Sequence, residues 1–375
     1  MIPRGEPGRF DELVSEREVE RLICETGLRF PAFRLVKEGA KLDVGDYTVD
    51  VPWRPVPFSR TADVERVLAE FEAGATIVIQ GLHLNRAETA TFCSALEGAL
   101  GHSVQANAYY TPRGSQGLAV HHDTHDVFIL QIAGEKRWLV YEPVFELPLK
   151  EQRYRAELGE PGEPVLDTML GPGDTMYLPR GWLHEARTSK VDSLHLTIGI
   201  NVYTWVDAVR DALVDVEDEL AFRHAVGNEP APRELLDVLA DRLSVRDVAR
   251  RKSARLARRR RPVLDGQISQ LRALDELTAA TFVERRPSAV AALDEDDDAI
   301  ALAFHGKRLL LPARLWQEAT FLAVAEEPFT AADLPGDLDE AGRLVLVRRL
   351  VREGFLRIKR PDVSGDPSPR SGAAA

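Results

Sequence analysis

The sequence predicts an α+β protein with a central β-barrel or β-sandwich and a helical part that follows it. Between residues 105 and 205, short runs of strand-forming residues succeed one another, and Gly and Pro separate them. These runs are Ala106–Thr111, Val127–Ile132, Lys136–Tyr141, Thr175–Leu178 and Leu194–Val202. After Trp205 the apolar residues recur every three or four positions, which is the spacing of one face of a helix.

The chain before these strands has weaker signals. Residues 1–60 are punctuated by proline and show no regular period, so we expect irregular structure there. A helix is expected after Thr61, which suits an N-cap position ahead of two early acidic residues. Ile77–Ile79 predicts a short buried strand, and residues 86–100 predict a second helix.

A hairpin is expected in the middle of the strand-rich part. Ala133-Gly134-Glu135 separates the runs Val127–Ile132 and Lys136–Tyr141. Three-residue loops that contain Gly commonly join antiparallel neighbours. We therefore expect these two strands to pair with each other.

The helical part contains two apolar stripes. The first resembles the seam of a coiled coil, and its spacing suits packing within the chain as well as packing against a second copy. A second stripe has a spacing of four residues. The stripes are Val206, Val209, Leu213, Val216 and Leu220, then Leu235, Leu239 and Leu243.

Charged runs follow these stripes. A basic run comprises Arg250, Arg251, Lys252, Arg255 and Arg258–Arg261, and Pro262 ends it. It suits a solvated helix face or a contact with RNA. Residues 294–298 predict an acidic loop, and residues 315–358 predict three helices and a short strand at Phe355–Ile358.

Composition excludes several classes of protein. The 375 residues suffice for two or three domains, and 44% hydrophobic with 29% charged residues is ordinary for a globular chain. The net charge of −12 disfavours broad nucleic-acid binding. Cys24 and Cys93 are too few for a disulfide framework or a four-cysteine zinc site. Since no apolar leader or membrane-length apolar run is found, we expect a cytoplasmic protein.

Two segments predict a metal site. His121 and Asp123 form an H-x-D pair, whose side chains share one face if the segment is extended. Further along, Gly173 to His184 has the pattern G-x5-P-x-G-x2-H, in which Pro and Gly make the turn before the histidine. His121, Asp123 and His184 therefore form a candidate 2-His-1-carboxylate facial triad, the ligand set of non-haem Fe(II) oxygenases.

Neighbouring residues leave alternatives open. His122 alternates to the opposite face and is left out of the triad. His125 shares the face of His121, so it suits a spare ligand, a substrate-channel residue or a rim histidine. Asp126 competes as the carboxylate only if the strand bulges there.

The same part of the chain resembles the JmjC-type ribosomal oxygenases, which are bacterial cupin-like, Fe(II)- and 2-oxoglutarate-dependent protein hydroxylases. The resemblance is strong over residues 100–205 and looser beyond. It rests on Asn107–Pro112, Gly114–Gly117, His121-x-Asp123, Phe128–Trp138, Pro172–His184 and His195–Ile198.

The resemblance implies roles for individual residues. His121, Asp123 and His184 match the iron ligands, and Lys136 matches the lysine that pairs with the distal carboxylate of 2-oxoglutarate. Asn107, Tyr109 and His195 match residues of the co-substrate pocket. From the pattern alone, a solvated turn is the favoured interpretation of Lys136, and the polar face of His195 suits solvent as well as a wet cavity.

Two positions depart from the family pattern. Thr124 and His125 stand where the family often has a second acid after the aspartate, which leaves substrate choice open. Thr188 stands where the general cupin pattern expects Asn. The triad itself is intact.

The resemblance also implies an architecture. It is a JmjC/cupin double-stranded β-helix over residues 1–205, a helical dimerisation segment over 206–265, a winged-helix-like domain over 266–360 and a disordered tail over 361–375. The C-terminal domain carries acidic as well as basic residues near its last helix, so DNA binding is not expected.

The expected activity is hydroxylation of a histidine or arginine side chain of a protein, with O2 and 2-oxoglutarate as co-substrates. A basic protein or peptide, such as a ribosomal protein, suits the acidic chain as substrate. The alternatives are a cupin metalloenzyme that acts on a natural-product peptide or small molecule, and a non-enzymatic cupin/winged-helix regulator.

Overall fold

The computed structural model describes residues 3–227, 233–259, 262–296 and 299–359. Contacts divide the chain into two compact units, residues 1–210 and 211–375. The predicted tail at 361–375 and the end of the basic run lie outside the described residues. Within the described ranges, no helix is both long enough and apolar enough to cross a membrane.

The first unit contains twelve strands and the helices that cover them. The helices are α1 (Glu16–Cys24), α2 (Val44–Tyr47), α3 (Val64–Glu72), α4 (Ala87–Leu100) and α5 (Trp205–Asp215), the last of which ends in the second unit. The strands are β1 (Phe33–Lys37), β2 (Ala40–Lys41), β3 (Thr48–Val51), β4 (Phe58–Ala62), β5 (Thr76–Ile79), β6 (Ser103–Thr111), β7 (Asp126–Ala133), β8 (Lys136–Tyr141), β9 (Leu166–Leu170), β10 (Thr175–Leu178), β11 (Leu183–Thr188) and β12 (Ser193–Asn201).

Two sheets enclose the middle of this unit. The larger has the antiparallel order β10-β7-β12-β6-β5-β1-β2, and the smaller has the order β11-β8-β9. Apolar side chains of β7 and β10 pack against those of β8 and β9, so the two sheets share a core. Strands β3 and β4 form a separate two-stranded hairpin.

Strand β12 explains how one sheet supports both a core and a site. Its alternate residues Leu194, Leu196, Ile198 and Ile200 pack in the hydrophobic core that includes residues of α1 and α3. His195 and Thr197 point to the other face and line a cavity. Both faces are therefore buried, which is typical of a central strand.

Several local expectations were wrong. Val127–Ile132 and Lys136–Tyr141 do not pair, because the turn at Gly134 carries the chain from the larger sheet to the smaller one. Residues 1–60 contain α1, β1 and a hairpin rather than irregular structure. The helix after Thr61 is capped by Asp63, whose side chain accepts a hydrogen bond from the N–H of Arg66.

The second unit is a helical segment followed by a mixed domain. The helices are α6 (Arg233–Asp241), α7 (Val245–Arg259), α8 (Gln267–Arg272), α9 (Trp316–Val324) and α10 (Glu340–Glu353), and the strands are β13 (Val283–Arg285), β14 (Ala292–Asp296), β15 (Ala299–Phe304), β16 (Lys307–Pro312) and β17 (Leu356–Ile358). Strands β14, β15 and β16 form one sheet, and β13 pairs with β17.

Two expectations for this unit needed correction. Residues 294–296 belong to β14 rather than to an acidic loop, and residues 297 and 298 lie outside the described part. Between α9 and α10 the chain makes only a short 3-10 turn, Ala331–Asp333, where a third helix was expected.

Candidate active site

The three predicted metal ligands lie together at the edge of the smaller sheet. One ligand atom from each of His121, Asp123 and His184 lies within 4.8 Å of the others. His121 and His184 are held by two backbone hydrogen bonds, 3.2 and 2.9 Å long, which join their N–H and C=O groups. The carbonyl of Asp123 accepts a 3.0 Å hydrogen bond from the N–H of Gly181, so the Pro-Gly turn fixes the third ligand.

The protein orients both imidazoles. Nδ1 of His121 lies 2.7 Å from the carbonyl of Ala119, and Nδ1 of His184 lies 3.1 Å from the carbonyl of Trp182. A backbone acceptor at Nδ1 selects the tautomer that leaves the Nε2 lone pair available to a metal.

The charge states of His184 and Asp123 suit the binding of a cation. Burial lowers the pKa of His184, which keeps that imidazole neutral. Burial raises the pKa of Asp123, but the neighbouring imidazoles, His184 first, outweigh it and hold the pKa below its usual value. A neutral imidazole and an ionised carboxylate are the forms that bind a metal ion.

A partly enclosed cavity adjoins this cluster. Its walls come from both sheets and carry a few polar side chains among apolar ones. The polar lining includes Thr76, Tyr109, Lys136, His195 and Thr197, and the apolar lining includes Val36, Val78, Val127, Ile129 and Trp138.

Lys136 is buried on this wall, with 3% of its surface exposed. Its Nζ donates a 2.8 Å hydrogen bond to Oγ1 of Thr111, which also accepts one from the hydroxyl of Thr76. No carboxylate within the described ranges forms an ion pair with it, and burial lowers its pKa to about 7. A buried ammonium group without a counter-charge is costly, so this position suits an anionic ligand.

Tyr109 and His195 form an aromatic stack beside Lys136. Their rings are parallel within 4°, with centroids 4.9 Å apart, and Trp138 packs edge-on against His195 at 5.4 Å. Burial lowers the pKa of His195 and raises that of Tyr109, so both are neutral. Nδ1 of His195 is buried without a hydrogen-bond partner among the described residues.

Asn107 does not line the cavity. It lies on the same strand, two residues from Tyr109, and pairs across the sheet with Thr197. Its Oδ1 accepts a 2.9 Å hydrogen bond from the N–H of Gly81. This contact holds Gly81, just after the end of β5.

The neighbouring polar residues are engaged elsewhere. Nε2 of His122 lies 3.1 Å from the carbonyl of Gln152. The ring of His125 lies beside Gly199, with Nε2 3.2 Å from the amide of Gln105. Asp126 accepts hydrogen bonds from the hydroxyl of Tyr177 and the N–H of Arg180. None of these three residues joins the ligand cluster.

Sequence reasoning missed three residues that shape the cavity. Thr111 accepts one hydrogen bond from Lys136 and another from Thr76, and Trp138 stands between the rings of His184 and His195. Trp138 shares a strand face with Lys136, which was a usable signal. The threonines carried no signal, because these hydrogen bonds form only after β5, β6 and β8 have come together.

Comparisons with known proteins give a domain family for part of the chain. Residues 82–208 match the JmjC domain family. The chain is 33% identical over 192 residues to the bifunctional lysine-specific demethylase and histidyl-hydroxylase NO66 of Drosophila persimilis, covering 51% of this chain and 26% of that protein. It is 29% identical over 236 residues to ribosomal oxygenase 1 of Gallus gallus, covering 60% and 38%. The chain thus spans well under half the length of these curated relatives.

A solved structure extends the likeness beyond the JmjC domain. The Escherichia coli ribosomal oxygenase YcfD, in complex with cobalt and 2-oxoglutarate, superposes with a TM-score of 0.56 at 16% identity. The match covers 96% of this chain and 94% of that one. At this identity the likeness establishes the fold alone, a mixed α/β JmjC/cupin fold, which confirms that part of the predicted fold class.

Proposed function

We propose that this chain, which contains a JmjC domain, is an Fe(II)- and 2-oxoglutarate-dependent oxygenase that hydroxylates a side chain of another protein. One observation carries the proposal. The His121, Asp123 and His184 cluster lies beside the cavity whose wall holds the buried, unpaired Lys136.

The residues present fit both groups. Two imidazoles and one carboxylate on one side of a metal leave positions open for a chelating co-substrate and O2. The second carboxylate of 2-oxoglutarate supplies the counter-charge that Lys136 lacks. When bound, iron and 2-oxoglutarate supply the oxidation, in which 2-oxoglutarate becomes succinate and CO2 and the substrate gains one oxygen atom.

The chain's own residues position and enclose the reactants. His121, Asp123 and His184 hold the metal, and Lys136 fixes the far end of the co-substrate with Thr111 as its hydrogen-bond partner. Tyr109 and His195 line the cavity as neutral groups, and Val127 and Ile129 exclude water from it. Asn107 holds Gly81 just after β5, and its role toward the co-substrate stays a prediction.

The names of the relatives suggest the substrate class. Because the matched proteins are named histidyl-hydroxylase and ribosomal oxygenase, we propose a histidine or arginine side chain of a ribosomal protein. The net charge of −12 favours encounter with such a basic partner. We also propose that the enzyme works in the cytoplasm.

The second unit supports two further proposals. Residues 206–265 are proposed as a dimerisation segment, because Leu213 and Leu220 of the predicted seam are 44% and 71% exposed. Residues 266–360 are proposed as a winged-helix-like domain for protein contacts. On its last helix, Arg343 and Arg348 donate hydrogen bonds to backbone carbonyls, which argues against insertion in a DNA groove.

The test is succinate formation from 2-oxoglutarate by anaerobically purified protein supplied with Fe(II) and then air. We expect turnover by the wild type and its loss in His121→Ala. His125→Ala is the matched control and keeps turnover, because this histidine lies outside the ligand cluster. A wild type that binds metal but forms no succinate, with or without a ribosomal protein fraction, would contradict the proposal and favour a small-molecule cupin enzyme.

A further inference from the structure

The hairpin formed by β3 and β4, residues 48–62, carries an exposed aromatic surface that the oxygenase site does not use. Trp53 at its tip is 63% exposed and Phe58 is 38% exposed, and their ring centroids lie 5.6 Å apart. Pro52, Trp53, Arg54 and Pro57 line a shallow cleft at the tip. We call this surface, together with the adjoining Arg29 and Phe30, the aromatic hairpin.

Arginines lie among these rings. The guanidinium of Arg29 lies 4.6 Å from the centre of Phe58, and that of Arg60 lies 5.5 Å from the centre of Phe30. Arg29 and Phe30 adjoin β4, since Arg29 bridges to Thr61 and the N–H of Phe30 donates to the carbonyl of Arg60. The two arginine–ring pairs therefore adjoin each other along β4.

The positive charge of this surface is not neutralised locally. Among the described residues, no acidic side chain forms an ion pair with Arg29, Arg54 or Arg60. The one acid of the hairpin, Asp50, accepts a 2.8 Å hydrogen bond from the backbone N–H of Arg60. The surface is a local exception in a chain whose net charge is −12.

The basic run on α7 differs in this respect. Arg250 pairs with Asp294, Arg251 with Asp215 and Arg255 with Asp211. In the described part of the run that the sequence suggested for RNA contact, these three arginines are thus neutralised by aspartates. Unpaired arginines and exposed aromatic rings coincide instead on the aromatic hairpin.

We propose that the aromatic hairpin binds single-stranded RNA. An exposed Trp ring offers a platform on which a base can stack, and neighbouring guanidinium groups contact phosphates and add cation–π attraction. Aromatic rings interleaved with unpaired arginines are what surfaces that follow a nucleic-acid strand require. This proposal does not depend on the oxygenase activity.

The test measures binding of a fluorescein-labelled oligouridylate of about 12 nucleotides to the full chain by anisotropy, a length within known site sizes. Trp53→Ala should weaken binding about fivefold or more, the loss of one stacked base. Trp316→Ala is the matched control, because that ring is 44% exposed in the other unit. It should leave binding unchanged.

Salt dependence tests the phosphate contacts. If three arginines contact phosphates, the logarithm of the association constant should fall with the logarithm of the salt concentration with a slope of about −2. Arg54→Ala should make this slope shallower by about 0.7. Arg349→Ala, an exposed arginine of α10, is the control and should not change it.

Three results would overturn the proposal. They are no binding at low salt, equal effects of the hairpin and control variants, and displacement by poly-L-glutamate as effective as by unlabelled RNA. The last result would indicate an acidic protein segment as the partner. Circular dichroism of Trp53→Ala checks that the fold is kept, as expected for an exposed side chain.

Discussion

Replacement of Lys136 by Met should stabilise the protein while it abolishes binding of 2-oxoglutarate. Lys136 is a fully buried ammonium group with a hydroxyl partner and no acid. Its pKa falls from 10.5 in the unfolded chain to about 7 in the folded one. Met has a similar length and shape and carries no charge to desolvate.

The pKa shift sets the size and pH range of the effect. Each pKa unit corresponds to about 1.4 kcal/mol, so keeping Lys136 charged costs about 5 kcal/mol below pH 7. Because the folded pKa is the lower one, the cost shrinks as the pH rises from about 7 and vanishes above about 10.5. The variant also loses the hydrogen bond to Thr111, which reduces its gain in stability by about 1 kcal/mol.

The assay is urea unfolding of wild type and Lys136→Met at several pH values, without co-substrate. We expect the variant to have the higher free energy of unfolding at pH 7, by about 3–5 kcal/mol, and the gap to close as the pH approaches 10.5. Added 2-oxoglutarate with a divalent metal should stabilise only the wild type. Lys150→Met, an exposed lysine, is the control and should show no such gap. A variant less stable than the wild type at pH 7, or a gap independent of pH, would refute the reasoning.

Three other predictions follow from the site and its supporting turn. The value of kcat/KM for 2-oxoglutarate should fall about tenfold per pH unit above pH 7, because only protonated Lys136 attracts the co-substrate; a profile flat to pH 9 would contradict this. Asp123→Asn should lower affinity for Co(II) by at least about tenfold in a calorimetric titration, whereas Asp126→Asn should leave it unchanged. Gly134→Ala should cost about 3 kcal/mol or more, because a Cβ there would lie 1.7 Å from the carbonyl oxygen of Asp192. Gly114→Ala has a similar φ and open space, so a thermal denaturation series should show a loss of only about 1 kcal/mol.

The fold was predictable where strands follow an ordinary apolar pattern. For five strands, the predicted bounds lie within a few residues of the observed ones. These strands are β6, β7, β8, β10 and β12. Strand β11, Leu183–Thr188, was missed because its inward positions carry the ligand His184 and Ala186 rather than large apolar residues. The prediction of a hairpin at Gly134 was wrong, because the residues of a turn do not determine which sheet the next strand joins.

The site was predictable where spacing alone carries the chemistry. The H-x-D pair and the Pro-Gly turn before His184 predicted three metal ligands, and the structure brings their candidate ligand atoms within 4.8 Å of one another. Burial of Lys136 was not encoded locally, because its neighbours Glu135 and Arg137 suggest a solvated turn. Only the pairing of β8 with β9 and β11 places that side chain between the sheets.

The most direct test of the account follows oxygen into a protein. A ribosomal protein fraction is incubated with the enzyme, Fe(II), 2-oxoglutarate and isotopically heavy O2, and its peptides are then weighed by mass spectrometry. The account predicts that one histidine or arginine side chain gains one heavy oxygen atom with the wild type but not with Asp123→Asn. Succinate formation without transfer of heavy oxygen to any peptide of that fraction would contradict it.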